Sequence, residues 1–265
     1  MYNKRLFWGV ILVVVGLLLL LDNLGVLAPL RISAGQLIFS LALIGFGAWI
    51  LWASTHSRST FVTEELSIPL EADEAHVRID FGAGELSIGG SASGGTLLSG
   101  TFDGIEHQVT TEGSVQRVKL ESPPLSFPQW NFGPAYHRRW TLALTDAVPL
   151  TLTVKSGACD ARLDLSNLRV TRLKVETGAS STHIVAPARA GYTEIRGSSG
   201  AASMDIEIPD GVAARIRTSG ALASVSVNHA RFPKVEGEYR SPNYETASNK
   251  VDIMLEGGVG SFSVH

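Results

Sequence analysis

Chemistry in this 265-residue chain would have to come from seven histidines, one cysteine and a scatter of acids. Metal binding needs ligands at short, repeated spacings. His56, His76, His107, His137, His183, His229 and His265 show no such spacing. Nucleophilic catalysis needs a serine or cysteine on a sharp turn beside a base. Ser156-Gly157-Ala158, Ser199-Gly200-Ala201 and Ser219-Gly220-Ala221 place serines before glycine, but their recurrence reads as corner geometry. Cys159 follows such a corner and reads as a small packing residue. Alone, it makes neither an internal disulfide nor a multi-cysteine metal site. Asp160, Asp164 and Asp205 fall on alternating positions and form no calcium loop. Gly82-Ala83-Gly84 lies between two strand-like runs with no helix after it, so it cradles no phosphate. There is no Walker-type loop, no H-E-x-x-H and no G-x-S-x-G. The reading is a protein that is not an enzyme, with no catalytic residue, no cofactor and no metal.

Binding is the chemistry that remains. Residues 121–140 read ESPPLSFPQWNFGPAYHRRW, rich in proline and aromatic residues. Prolines 123, 124, 128 and 134 exclude a central strand. Trp130, Phe132, Tyr136 and Trp140, with Arg138 and Arg139, are the residue types that anchor interfaces, and they are the candidate partner-binding residues. The same aromatics could instead pack onto the domain and shield a strand edge. A second interruption, residues 228–249, reads as another loop or cover.

Two long apolar runs stand before the region that carries these residues. Leu6 to Leu21 contains sixteen residues without a polar side chain, and Gly35 to Ala53 contains nineteen with only Gln36 and Ser40 polar. A helix over Leu6–Ala28 would be about 34 Å long, enough for a hydrocarbon core of about 30 Å. The expectation is a two-helix transmembrane hairpin over 1–53, then a linker over 54–60. Lys4, Arg5 and Arg58 flank the spans, whereas the short connecting loop holds Arg31 alone. The cation bias puts both termini in the cytoplasm of a plasma-membrane protein that crosses twice. The remainder carries 18 basic and 24 acidic residues, net −6, with no cation run. Such a balance excludes nucleic acid as a partner and leaves the lipid bilayer and proteins, with oligomerisation open.

Residues 61–265 repeat. Alternating apolar runs meet at Gly-Ala corners, as in Leu152-Thr153-Val154-Lys155-Ser156-Gly157-Ala158 and Leu173-Lys174-Val175-Glu176-Thr177-Gly178-Ala179. Gly157, Gly178, Gly200 and Gly220 are 21, 22 and 20 residues apart. Alternation with period two means strands with one face buried, and glycine allows a positive φ or a tight bend. A period near twenty fits coils of a β-solenoid, each stacked on the next. Lys174, Glu176, Glu194, Arg196, Arg215 and Arg217 fall on the outward positions. The predicted fold class is all-β, a β-solenoid after a two-helix transmembrane hairpin. An antiparallel sandwich is the competing arrangement.

The N-terminal segment resembles the LiaI/LiaF-like transmembrane region of bacterial envelope-stress proteins. The likeness lies in Gly9-Val10-Ile11-Leu12 through Gly16, Leu20-Leu21-Asp22-Asn23-Leu24-Gly25 and Leu41-Ala42-Leu43-Ile44-Gly45. The remainder is similar to the toast-rack, adhesin-type β domains that accompany such modules. That likeness rests on Trp140-Thr141-Leu142, Val148-Pro149-Leu150, the Gly-Ala corners, Tyr239-Arg240-Ser241-Pro242-Asn243-Tyr244 and Gly258-Val259-Gly260-Ser261. The resemblance implies a bacterial plasma-membrane protein that senses or modulates envelope stress through a membrane partner such as a sensor kinase. It carries over no catalytic motif.

Overall fold

Val77, Ile79 and Phe81 alternate with Arg78 and Asp80, and the pleat of a strand sends the first set inward and the second out. This pattern governs every long element of the computed structural model, which describes Leu43 and residues 63–90, 92, 94–123, 138–220 and 222–265. The expected hairpin over 1–53 (Leu43 apart) and the linker over 54–60 lie outside the described residues. Among the described residues, no helix is long and apolar enough to cross a membrane.

Among the described residues from 63 onward the regular elements are strands. In chain order they are β1 (Thr63–Pro69), β2 (Glu74–Gly90), β3 (Thr96–Asp103), β4 (Glu106–Glu112) and β5 (Val115–Glu121). Then come β6 (Arg139–Leu144), β7 (Leu150–Asp164), β8 (Val170–Thr177), β9 (Ser181–Val185) and β10 (Tyr192–Glu207). The last are β11 (Ala213–Ser219), β12 (Leu222–Val227), β13 (Lys234–Val235), β14 (Glu238–Arg240) and β15 (Lys250–Val264).

The central ladders are parallel and in register, as a solenoid requires and an antiparallel sandwich does not. β2, β7, β10 and β15 are each one rung bent at its middle, and β8 with β9, and β11 with β12, are rungs split at that bend. Register stacks like on like. Val118, Val77, Leu152, Leu173, Ile195, Ile253 and Ile216 form one column before the bend. Leu142, Ile88, Leu163, Ile184, Ile206, Val264 and Val227 form another after it. All are buried in one core. Each such side chain contributes about 1.5–3 kcal/mol by leaving water. Short connectors close the third side, where Leu165, Leu168, Ala186, Ile208 and Val212 are buried.

The bend carries the glycines, with the expected positive φ at Gly220 (φ 149°) and the expected tight bend at the others. Gly82, Gly157, Gly178, Gly200 and Gly258 stack in one column, and none has positive φ. A Cβ on Gly157 would lie 2.7 Å from the Gly82 carbonyl oxygen, and one on Gly178 would lie 2.8 Å from that of Gly157. Neighbouring rungs come together here so closely that a side chain would strike backbone. In the first rung, β5 pairs with the leading half of β2 and β6 with its trailing half. Residues 122–138 therefore stand in the chain where the other rungs have their corner dipeptide.

One expectation is corrected. Coils do not stack strictly in chain order, because β15 inserts between β10 and the β11–β12 rung. The outward side chains account for it. The inserted strand sets Asp252 against Arg215 and Arg217. It also places Met254 between Arg196 and Arg217, which would otherwise be adjacent. The 228–249 segment supplies the chain length for this return and lays β14 and β13 beyond β11. At the opposite end, β4 pairs antiparallel with β5, and β3 and β1 extend antiparallel from β6.

Candidate functional site

The candidate contact residues of 121–140 divide. Trp130, Phe132 and Tyr136 lie outside the described residues. Arg138, Arg139 and Trp140 are brought together at the start of β6, and alternation sends them different ways. Arg139 points outward, with its Nε 2.8 Å from Glu85 Oε2, while its backbone N–H donates to Asp103 Oδ2 at 2.9 Å. Arg138 is 7% exposed, and its guanidinium reaches the Pro123 carbonyl oxygen at 3.4 and 3.5 Å. Burial lowers its pKa, against the attraction of Asp103.

Trp140 is 0% exposed and is a core residue, not a surface anchor. Its ring sits 5.1 Å from Phe81 and meets Phe102 edge-on at 5.3 Å. The physical reason is the strand period: Trp140, Leu142 and Leu144 share one parity, and that parity is the interior. The alternation Trp-x-Leu-x-Leu was the signal for this in the sequence.

The outer surface has two faces that differ in chemistry. Before the bend it is a mesh of ion pairs. Arg78 meets Asp80 at 2.9 Å, Lys119 meets Glu121 at 2.7 Å, and Lys155 and Lys174 both reach Glu176 at 2.5 Å. The Lys155 and Lys174 ammonium groups hold the Glu176 carboxyl down at about 2. Asp252 is 6% exposed. Burial pushes its pKa up, but hydrogen bonds from Arg215 and Arg217 outweigh this and leave it below the usual carboxylate range. Arg217 lies 3.0 Å away, and Arg215 also pairs with it. An open groove of about 700 Å³ runs beside the bend, bordered by Asp80, Ser122, Lys155, Glu176 and Ser199 among others.

After the bend the outer face carries charges on β6, β2 and β7, among them Arg139 paired with Glu85, then Asp160, Arg162 and Asp164, and a line of hydroxyls further along the stack. Ser181, Ser203, Ser261 and Ser224 stand in one register line, and Ser263 and Ser226 pair beside them. A polar cluster lies beside these serines. His183 Nδ1 lies 3.0 Å from Asp205 Oδ2, His265 Nδ1 lies 3.3 Å from Asp205 Oδ1, and Glu207 lies 4.0 Å from His183 Nε2. Sequence reasoning missed this cluster, because its members come from three rungs. Cys159 is 6% exposed, and burial pushes its thiol pKa up. Among the described residues, no group of three or more His, Cys, Asp and Glu could hold a metal ion.

Among the described residues these parts define a class: an all-β domain of stacked parallel rungs whose polar groups are spread over open faces. The chain belongs to the family described as the N-terminal domain of toast_rack, DUF2154, whose model matches residues 53–207. The chain is also similar in fold to a solved "putative cell adhesion protein" from Clostridium sporogenes. That likeness has a TM-score of 0.65 at 17% identity and covers 77% of this chain and 99% of that one. "Putative adhesin" structures from Bacteroides fragilis and Parabacteroides distasonis align over 78% and 77% of this chain and 98% and 96% of theirs. They do so at 11% and 12% identity, with TM-scores of 0.20 and 0.25. No curated protein matches.

Proposed function

We propose that this chain is a non-enzymatic interaction protein of the bacterial envelope, held at the plasma membrane by a two-span hairpin over 1–53 with both termini cytoplasmic. Its rung domain modulates envelope-stress signalling through a membrane protein partner such as a sensor kinase. One observation carries the reading. The first rung keeps β5 and β6 in register with β2 although residues 122–138 come between them. Other rungs make the same bend with Gly-Ala or, in β15, Gly-Val, so the fold does not need the segment. A proline- and aromatic-rich insertion that folding does not need is better explained by contact than by packing.

The test replaces residues 124–137 with Gly-Ala in the full chain and, separately, substitutes Trp130→Ala with Tyr136→Ala. The expected result is an unchanged melting temperature and loss of the partner captured by the wild type in membranes. Partner capture that survives both changes overturns the role of the segment. A second reading, an envelope-facing adhesion or scaffold domain, draws on the fold shared with the cell adhesion protein of Clostridium sporogenes. Protease protection of a C-terminal tag in intact spheroplasts separates the two. Protection supports the cytoplasmic reading, and cleavage supports the adhesion reading.

A further inference from the structure

The rung stack has open strand edges, and they are not alike. β4 is an outer edge with every residue exposed, and Glu106 and Glu112 stand at its ends. β1 carries Glu64, Glu65 and Pro69. Charges and proline on an edge discourage pairing with another chain. The edge of β11 is covered by β14. β12 is different. Among the described residues it pairs with β15 and nothing else, so one row of its N–H and C=O groups is unpartnered. Its sequence, Leu-Ala-Ser-Val-Ser-Val, has no charge, no proline and no glycine.

A second observation coincides with this edge. Val225 belongs to the interior column, in register with Phe262 and through it with Met204, which are 2% and 1% exposed. Val225 itself is 37% exposed. The solenoid interior therefore ends at β12 with a core-facing valine still in water. Its outward neighbours Ser224, Ser226, Ser261 and Ser263 are uncharged.

We infer that β12 pairs antiparallel with β12 of a second copy of this chain, making a two-fold dimer centred on Val225. Charge argues for a copy as the occupant. The chain from residue 59 on is net −6, so two copies repel wherever acids face each other, and this edge brings none. Pattern argues for it too. About a centre at Val225, Ser224 of one copy faces Ser226 of the other, hydroxyl against hydroxyl, and each Val225 covers the other. Such an interface is isologous and closes at two. Stacking β12 on β1 of the next copy would be head-to-tail, would meet Glu64 and Glu65, and would leave an open fibre.

The test uses the full chain in membranes with Cys159→Ala, so that an added cysteine is the sole thiol. Val225→Cys puts the two sulfurs at the symmetry centre. Opposed residues of an antiparallel pair lie about 4.5–5.5 Å apart at Cα, within disulfide reach. Mild oxidation is expected to convert most of the chain to covalent dimer and to leave a Thr110→Cys control on β4 uncrosslinked. Ser224→Lys with Ser226→Lys sets lysine against lysine at the same edge. It is expected to weaken association at least tenfold in sedimentation equilibrium, with an unchanged circular dichroism spectrum. The proposal is overturned if Val225→Cys crosslinks no better than Thr110→Cys, if crosslinking yields a ladder of higher species, or if the lysine pair leaves association intact.

Discussion

The two halves of each rung share one interior and present different exteriors. Before the bend, the inner column is Val77, Leu152, Leu173, Ile195, Ile253 and Ile216, under a lattice of lysine, arginine and carboxylate. After it, Ile184, Ile206 and Val264 lie under a line of serines, and Leu163 lies between the outward Arg162 and Asp164. The same strands make both. Burial of aliphatic columns therefore sets the stacking, and the outer positions are left to serve contacts. Exposed ion pairs contribute only about 0–1 kcal/mol each, whereas one buried aliphatic side chain outweighs several of them. Stability should thus concentrate inside both halves alike, and conditions that act on charge should act most on the ion-pair lattice before the bend.

The largest expected effect tests the interior. Trp140→Ala should cost about 3–5 kcal/mol in urea unfolding of the full chain, because the ring fills the space between Phe81 and Phe102. Trp140→Phe should cost far less, since the indole N–H it removes is buried with no partner among the described residues. A Trp140→Ala chain that stays stable but loses its partner would return Trp140 to the contact surface. The bend comes next. Gly178→Ala puts a Cβ 2.8 Å from the Gly157 oxygen, and forcing two rungs apart should cost about 1–3 kcal/mol. Ala179→Ser, one residue on and exposed, should cost nothing measurable.

Asp252 is where the charged half has an interior of its own. Asp252→Asn keeps the shape but removes the charge from the Arg215 and Arg217 bonds, and should cost about 1–3 kcal/mol at pH 7. Glu176, at about 2, and Asp252 both have folded pKa values below the ordinary carboxylate range. The stability they contribute is therefore present above that range and lost as pH falls through and below it, toward 2 for Glu176. The gap between wild type and Asp252→Asn should narrow as pH drops below about 4. A constant gap from pH 7 to pH 3 would mean that the aspartate acts by packing alone.

Period and parity made much of this fold legible. The alternating runs and the spacing of Gly157, Gly178, Gly200 and Gly220 imply stacked rungs with glycine at the bend, as found from β2 onward. The order of the rungs was not legible. Aliphatic columns match in either order, so the choice falls to outward contacts such as Asp252 with Arg217 and to the spacer Met254. Those are pairings between strands far apart in sequence. The role of the corner glycines was legible as a bend but not as a close approach, because the clash is with a neighbouring rung's carbonyl. For the candidate contact residues, composition pointed at Trp140 and alternation pointed away from it. Alternation decides, because a strand residue of inward parity has nowhere else to go.

The smallest effects separate the two exteriors. Lys174→Ala and Ser203→Ala remove one outward side chain each, the first before the bend and the second after it. Both should shift stability by no more than about 0.5 kcal/mol, as surface changes usually do. Salt should distinguish them. Screening weakens exposed charge pairs, so whatever Lys174→Ala costs should fade between low salt and 1 M salt as the 2.5 Å pair with Glu176 loses its value. Ser203 carries no charge and its register partners Ser181 and Ser261 carry none, so its small cost should not move. A Ser203→Ala cost of several kcal/mol would show that the serine line braces the rungs, and would remove that face from the surfaces left for contact.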